Sequence, residues 1–139
     1  MDGPAEYRFA LLEIDRLRPH EQVDERRLEE LQKEIDRDGV VRQPIMVESQ
    51  SMVILDGHHR VRALARLGCT VVPSYLVDYS DPGVAVYPRR PGIPVDKESV
   101  VRIGLGGTPY PPRTSRHVWA RAPHPRPVAL ALLGKRDRG

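Results

Sequence analysis

The hydrophobic positions along this chain change their spacing several times, and each change marks an element. Residues 9–14, from Phe9 through Leu11 and Leu12 to Ile14, are apolar with little alternation and predict a short strand. Pro19 disfavours helix in the residue before it, so Arg18-Pro19-His20-Glu21 is a turn and Glu21 lies on a loop. From 24 to 38 the spacing is helical. Leu28, Leu31 and Ile35 recur on one face, Asp24 caps the start, Val23 and Leu28 have staple spacing, and Gly39 closes the end. Residues 40–48 predict a strand with an edge or bulge at Pro44. Residues 52–55 predict a second, buried strand, with Glu48-Ser49-Gln50-Ser51 as the hairpin turn between the two. Helical spacing returns over 58–67 through Val61, Leu64, Ala65 and Leu67, and Gly68 stands at the cap position. A strand running straight into a helix makes Asp56-Gly57 a sharp corner. Residues 71–77 return to strand composition, and 78–83 end it in a turn or linker.

Beyond that point, prolines from Pro88 to Pro127 break the chain into short pieces. One helix fits, over 97–105, with Asp96 as its cap and Gly106-Gly107 as its stop. Pro111-Pro112-Arg113-Thr114-Ser115-Arg116-His117 reads as a loop rich in phosphate-type donors, and 134–139 as a frayed end. These elements predict a single α+β domain in which the helices starting at Asp24 and His58 pack on a small mixed sheet, with the Asp56 corner at its edge.

Composition narrows the class. A chain of 139 residues, 40% hydrophobic and 29% charged, is long enough for one core and has the balance of a globular protein. Its longest apolar run, 128–133, is too short to cross a bilayer, and the acidic amino terminus does not read as a targeting segment. Cys69 is the sole cysteine, which rules out an intramolecular disulfide and a multi-cysteine metal site and fits a reducing cytoplasm. The net charge of +3 and pI near 9.3 come from scattered arginines. That balance suits an anionic small ligand at least as well as nucleic acid.

The candidate chemistry gathers at the corner. A helix starting at His58 offers unpaired N–H groups and a favourable dipole to an anion. Gly57 lets a ligand approach the backbone, while His58, His59 and Arg60 add side-chain donors. The competing reading makes Asp56 only a helix cap and leaves the histidines solvated; two histidines and an arginine directly after it favour the phosphate reading. Thr114-Ser115-Arg116-His117 adds two hydroxyls, a guanidinium and an imidazole, a pattern that many surface loops share. His20-Glu21 is weaker by chemistry alone. Four of the five histidines nevertheless fall in these three places, as one shared pocket requires.

The run Ile54-Leu55-Asp56-Gly57-His58-His59-Arg60, followed by Ala63-Leu64 and Leu67-Gly68, resembles the ParB/sulfiredoxin-like superfamily, and more closely its branch of ADP- or ATP-dependent free-serine kinases. Asp-Gly-His-His-Arg stands here in place of the Gly-Glu-Arg-Arg of partition proteins or the Gly-Cys-His-Arg of sulfiredoxins. Pro19-His20-Glu21 and the segment 111–117 are similar to two further kinase motifs, so the resemblance spans roughly 11–117. It implies a catalytic domain over 1–120 with 121–139 as its extension. It also implies phosphoryl transfer from ADP or ATP, with magnesium, to the hydroxyl of L-serine. By position, Glu21 resembles the catalytic glutamate, and Asp56 acts as second base or holds the metal or its waters. Gly57, His58, His59 and Arg60 bind the phosphates, and His20, Thr114, Ser115, Arg116 and His117 the substrate.

A ParB-like nucleotide-dependent DNA-binding protein is the main rival. Proline-rich chain where a helix-turn-helix would follow, and His58-His59 in place of Glu-Arg, oppose it, so no specific nucleic-acid partner is expected. A metal-dependent nuclease using Asp56 and the histidines stays open, and so do the acceptor's identity, the donor and the oligomeric state. Sulfiredoxin chemistry is disfavoured because His58 holds the cysteine position and Cys69 reads as a small core residue. A structure that holds Glu21, Asp56 and Arg116 far apart, not lining one cleft, would overturn both this fold and this site.

Overall fold

Residues 7–134 are described by a computed structural model. A strand that is apolar on both faces must be covered on both, and this is the position of β3 (Ile45–Glu48), where every residue is buried. Ile45 and Val47 enter one core and Met46 the other. Around β3 the sheet runs in the order β1-β5-β3-β4, with β1 at Arg8–Glu13, β4 at Ile54–Asp56 and β5 at Val71–Val77. β5 is antiparallel to β1 and parallel to β3, and β3 and β4 are antiparallel, so the sheet is mixed as expected. Asp56 ends the edge strand β4.

Helices α1 (Glu25–Asp38) and α2 (His58–Arg66) cover one face with Leu28, Ile35, Val61, Ala63 and Leu64. Asp24 caps α1 by accepting the N–H groups of Arg26 and Arg27, and Gly39 ends it in the left-handed region at φ 67°. The expected strand over 40–48 divides at Pro44, which lacks an N–H for the ladder. Val40–Val41 (β2) leaves the main sheet and pairs with β8 (Val128–Ala129). Glu48 is buried and accepts from Gln50 N–H and from the N–H and hydroxyl of Ser51, which closes the expected turn.

The second face is covered by β6 (Val84–Pro88), α3 (Lys97–Gly106) and β7 (Ser115–Trp119), with Val84 and Val100 packing on Met46, Val53, Leu55, Tyr75 and Val77. The Ser115–His117 part of the expected loop is therefore strand. β7 pairs antiparallel with β6, setting Val86 opposite His117 and Pro88 opposite Ser115. The signal was alternation, with Arg116 and Val118 outward and His117 and Trp119 inward, set between prolines that masked it. Asp96 and Ser99 form a reciprocal capping box on α3. Leu130 and Leu133 join the first core, as does Cys69. The frayed end expected from Gly134 falls, over 135–139, outside the described residues. Among the described residues no helix is long and apolar enough to cross a membrane.

Gly57 begins α2 at φ 112°, and a Cβ there would collide with the side chain of Ile45. The close approach that this glycine permits is thus first of all the corner's own packing on β3. Gly57→Ala should cost the left-handed penalty of about 1–2 kcal/mol together with an overpacking term of about 1–3 kcal/mol. Gly39→Ala, with open space around it, should cost only the first. Urea unfolding midpoints of the two variants check this, and equal shifts would contradict it.

Candidate active site

A cleft of about 250 Å³ opens at the corner between β4 and α2. Its walls come from three stretches far apart in the chain: Glu21, residues 55–60, and Arg113 with Ser115, joined by Arg27 and Arg89.

Glu21 is placed by main chain on two sides. Tyr110 N–H donates to His20 O and Gln22 N–H to Tyr110 O, which pins the backbone on either side of it. Its side chain, 11% exposed, accepts from Arg113 N–H at Oε1 (3.1 Å) and from Ser115 N–H at Oε2 (2.8 Å). Oε2 is also hydrogen-bonded to the Ser115 hydroxyl. Arg113 adopts φ 58°, unusual for a side chain of its size, at the bend that turns these donors toward the carboxylate. Arg90 fixes the same bend by donating twice to Pro112 O.

The paired histidines hold this loop from below. His20 N–H donates to Nε2 of His58 (3.1 Å), and Asp24 N–H to Nε2 of His59 (3.0 Å), so the two bonds bracket Glu21. An imidazole nitrogen that accepts an N–H carries no proton, so both rings are neutral with the proton on Nδ1. Burial agrees, holding His58 well below the ordinary imidazole value and lowering His59 as well, where the Arg113 and Arg27 guanidinium groups add to the effect. The expectation that these histidines add donors for a phosphate is narrowed accordingly: Nε2 of each ring is committed to the Glu21 loop, which leaves only an uncharged Nδ1–H to give.

Positive charge comes instead from Arg27, Arg60, Arg89 and Arg113, against the carboxylates of Glu21 and Asp56. Arg60 is the most enclosed of them. Its Nε and Nη2 are buried without a hydrogen-bond partner, and Asp56 lies 3.9 Å from Nη2. A buried guanidinium with idle donors at a cleft wall is suited to an oxyanion. The α2 N-terminus beside it has no side-chain cap, because Gly57 occupies the cap position and Asp56 does not fill that role.

Of the expected site residues, Glu21, Asp56, Gly57, His58, His59, Arg60 and Ser115 line the cleft. Four others do not. Arg116 is exposed and shares an outer depression with Tyr87, Pro88 and Arg89, so of the three residues expected to line one cleft Glu21 and Asp56 do and Arg116 does not, Arg89 being common to cleft and depression. Thr114 is fully buried and spends its hydroxyl on Pro111 O. His20 is fully buried, with Nδ1 2.7 Å from Ile54 O. His117 bonds Tyr79 through Nε2 (2.8 Å) and stacks on Trp119, and burial pushes it down to about 3. Strand alternation is the reason for the last contrast, since it turns His117 inward and Arg116 outward. Arg27 and Arg89 were not legible as site residues: one sits on the polar face of a helix and the other in a proline-broken stretch. Arg113 stood inside the noted motif, and only its backbone geometry distinguishes it.

Fold and cleft together define a mixed α+β domain with an arginine-lined corner at the end of an edge strand. Residues 5–87 match the ParB N-terminal domain, and the chain belongs to that family. Among its relatives, an ATP-dependent L-serine kinase of Staphylothermus marinus is 37% identical over 87 residues, covering 60% of this chain and 34% of the relative. The ADP-dependent L-serine kinase SerK of Thermococcus kodakarensis is 33% identical over 97 residues, covering 67% and 40%. The chain thus spans roughly a third to two fifths of the length of these relatives. A free serine kinase in complex with AMP shares the fold at a TM-score of 0.82 and 18% identity, covering 93% of this chain and 95% of that one.

Neutral, buried histidines make the site acid-sensitive. Because folding holds His58, His59 and His117 below the imidazole value of 6.5, the unfolded chain takes up protons first as pH falls. This contribution is complete above 6.5 and is lost progressively below it. Urea midpoints should therefore drop between about pH 7.5 and about pH 5. His59→Gln, whose amide oxygen accepts the Asp24 N–H without titrating, should show a shallower drop. A midpoint independent of pH in that window would contradict the assignment.

Proposed function

We propose that this chain transfers a phosphoryl group from ADP or ATP to the hydroxyl of free L-serine, giving O-phospho-L-serine. The observation that carries this reading is the Glu21 carboxylate, fixed by main-chain donors in a cleft whose other wall is the enclosed Arg60 and an uncapped helix N-terminus. The L-serine kinases among the relatives supply the acceptor. In phosphoryl transfer the protein mainly positions reactants and stabilises charge, and this cleft contains parts for both. Glu21 takes the proton from the serine hydroxyl. Arg60 and the first N–H groups of α2 receive the transferring phosphate, with Arg27 beside them. Arg113 and Arg89, in place of Arg116, hold the remaining phosphate or the serine carboxylate.

Magnesium is held mostly by one or two carboxylates and the substrate's own phosphates, so a cluster of three protein ligands is not needed. Asp56 fits that pattern: its carboxylate lines the cleft and its side chain is 61% exposed. The ion would neutralise charge between donor phosphates. An adjoining cavity of about 450 Å³, lined by Leu17, Pro19, Val23, Ile54 and Val61 and sharing Glu21 and His58 with the cleft, suits the nucleoside. With a single buried cysteine and two freely diffusing substrates, the reaction belongs in a reducing cytoplasm.

Incubation with magnesium, serine and each nucleotide in turn tests the reaction by its products, O-phosphoserine with AMP or ADP. Glu21→Gln should lower the rate about a hundredfold or more with little change in nucleotide binding. Arg60→Ala should weaken nucleotide affinity about tenfold or more, a loss of about 1.5–3 kcal/mol. Full turnover by Glu21→Gln would remove Glu21 from the role of base.

A further inference from the structure

Behind Glu21 lies a chain of groups that the transfer itself does not use. Nδ1 of His20 is 2.7 Å from Ile54 O, and a carbonyl can only accept, so Nδ1 carries the proton and Nε2 of the neutral ring presents a lone pair. That lone pair is 2.9 Å from Ser115 Oγ. The same hydroxyl is hydrogen-bonded to Oε2 of Glu21, 3.6 Å from His20 Nε2. Two acceptors therefore converge on one hydroxyl that has one proton to give. With Glu21 ionised and His20 neutral, the single hydroxyl proton either goes to Glu21 and leaves Nε2 of the completely buried His20 without a donor, or goes to His20 and leaves Oε2 of Glu21 with the Ser115 N–H alone. One additional proton satisfies every member: His20 Nε2–H donates to Ser115 Oγ, and Ser115 O–H donates to Glu21.

We propose that Ser115 and His20 form a proton relay behind Glu21, so that the proton Glu21 takes from the acceptor hydroxyl is passed through the Ser115 hydroxyl to Nε2 of His20. The inference rests on the kinase reading. In the step, the proton on Glu21 Oε2 moves to Ser115 Oγ while the proton already on Ser115 moves to His20 Nε2. One O–H bond at Ser115 breaks as another forms, Glu21 returns to carboxylate, and His20 ends as an imidazolium beside it. No electrons change hands, and the proton leaves by the same route once product departs. Burial lowers His20 itself and works against this charge, while the Glu21 carboxylate and the Ile54 carbonyl favour it. The rings of His58, His117 and Tyr110 stand 4.7, 6.1 and 6.4 Å away, and burial keeps both histidines uncharged, so the carboxylate of Glu21 is the nearest charge. Ser115 and His20 act through Glu21 and are positioning residues for it.

Two measurements on the full chain test the relay. In the first, ¹⁵N-histidine NMR follows His20 in wild type, Glu21→Gln, Ser115→Ala and Ser115→Thr. Wild type should show the proton on Nδ1, and the His20 titration should move to lower pH in Glu21→Gln. In the second, single-turnover formation of O-phosphoserine is followed in mixtures of H2O and D2O. Ser115→Ala should slow the step about tenfold or more with nucleotide affinity within about twofold of wild type, and Ser115→Thr should restore it to within about threefold. The isotope dependence should be curved for wild type and Ser115→Thr, reporting two protons in flight, and linear for Ser115→Ala. A Ser115→Ala variant as fast as wild type, or one that is slower with the same curvature, overturns the relay. A wild-type chain that makes no O-phosphoserine overturns the kinase reading instead. The NMR arm then decides the relay alone, and a His20 titration unmoved in Glu21→Gln rejects it.

Discussion

The cleft depends on one carboxylate. Glu21 accepts main-chain N–H groups from Arg113 and Ser115, residues more than ninety positions away, and so ties the loop before α1 to the start of β7. Each such charge-assisted bond is stronger than a neutral one, and both involve donors that would otherwise be left idle at a half-buried bend. Remove the carboxylate and two walls of the cleft lose their common anchor. The residue proposed as the base is thus also one that ties the walls of the cleft together. Any variant at this position reports on both roles together, so a charge-neutral, shape-preserving replacement is more informative there than truncation.

The division of labour between histidines and arginines follows from burial. Desolvation penalises a charged imidazole and leaves a neutral ring as a compact acceptor, which is how His58 and His59 receive the N–H groups of His20 and Asp24. Guanidinium groups keep their charge under the same conditions. Arg60 illustrates the result, with Nε and Nη2 buried beside the cleft and without a hydrogen-bond partner, 3.9 Å from the Asp56 carboxylate at the nearest approach. A site organised this way holds its shape through neutral hydrogen bonds and attracts its ligand through charges that need no further reorganisation.

Both faces of the sheet contribute to that arrangement. The helical face supplies the corner, because α2 can start only where Gly57 fits against Ile45. The opposite face supplies another wall of the cleft: β6 and β7 pair so that Ser115 stands opposite Pro88, and Arg89 N–H donates to Thr114 O beside it. The buried Thr114 hydroxyl and the Arg90 guanidinium then fix the bend between α3 and β7. The late, proline-broken third of the chain is therefore as much part of the cleft as the motif at residues 56–60.

What the sequence by itself determined is local. Caps at Asp24 and Asp96, the glycine stop at Gly39, the strand-to-helix corner at Asp56-Gly57 and the helical faces of Leu28, Ile35, Val61 and Leu64 were legible because each depends on neighbours within a few residues. The kinship was legible for the same reason, since Asp-Gly-His-His-Arg is a contiguous run. Tertiary structure alone decided how the side chains are used. Whether an imidazole meets a phosphate or a peptide N–H depends on which distant loop lies over it, and pairing with β6 sets His117 inward and Arg116 outward in a segment that reads as loop. Arg27, Arg89 and Arg113 become cleft residues only when three remote stretches converge. Spacing along a chain encodes the period of an element, but convergence between elements is settled by packing of the whole core, and that is where the charge of this site was assigned.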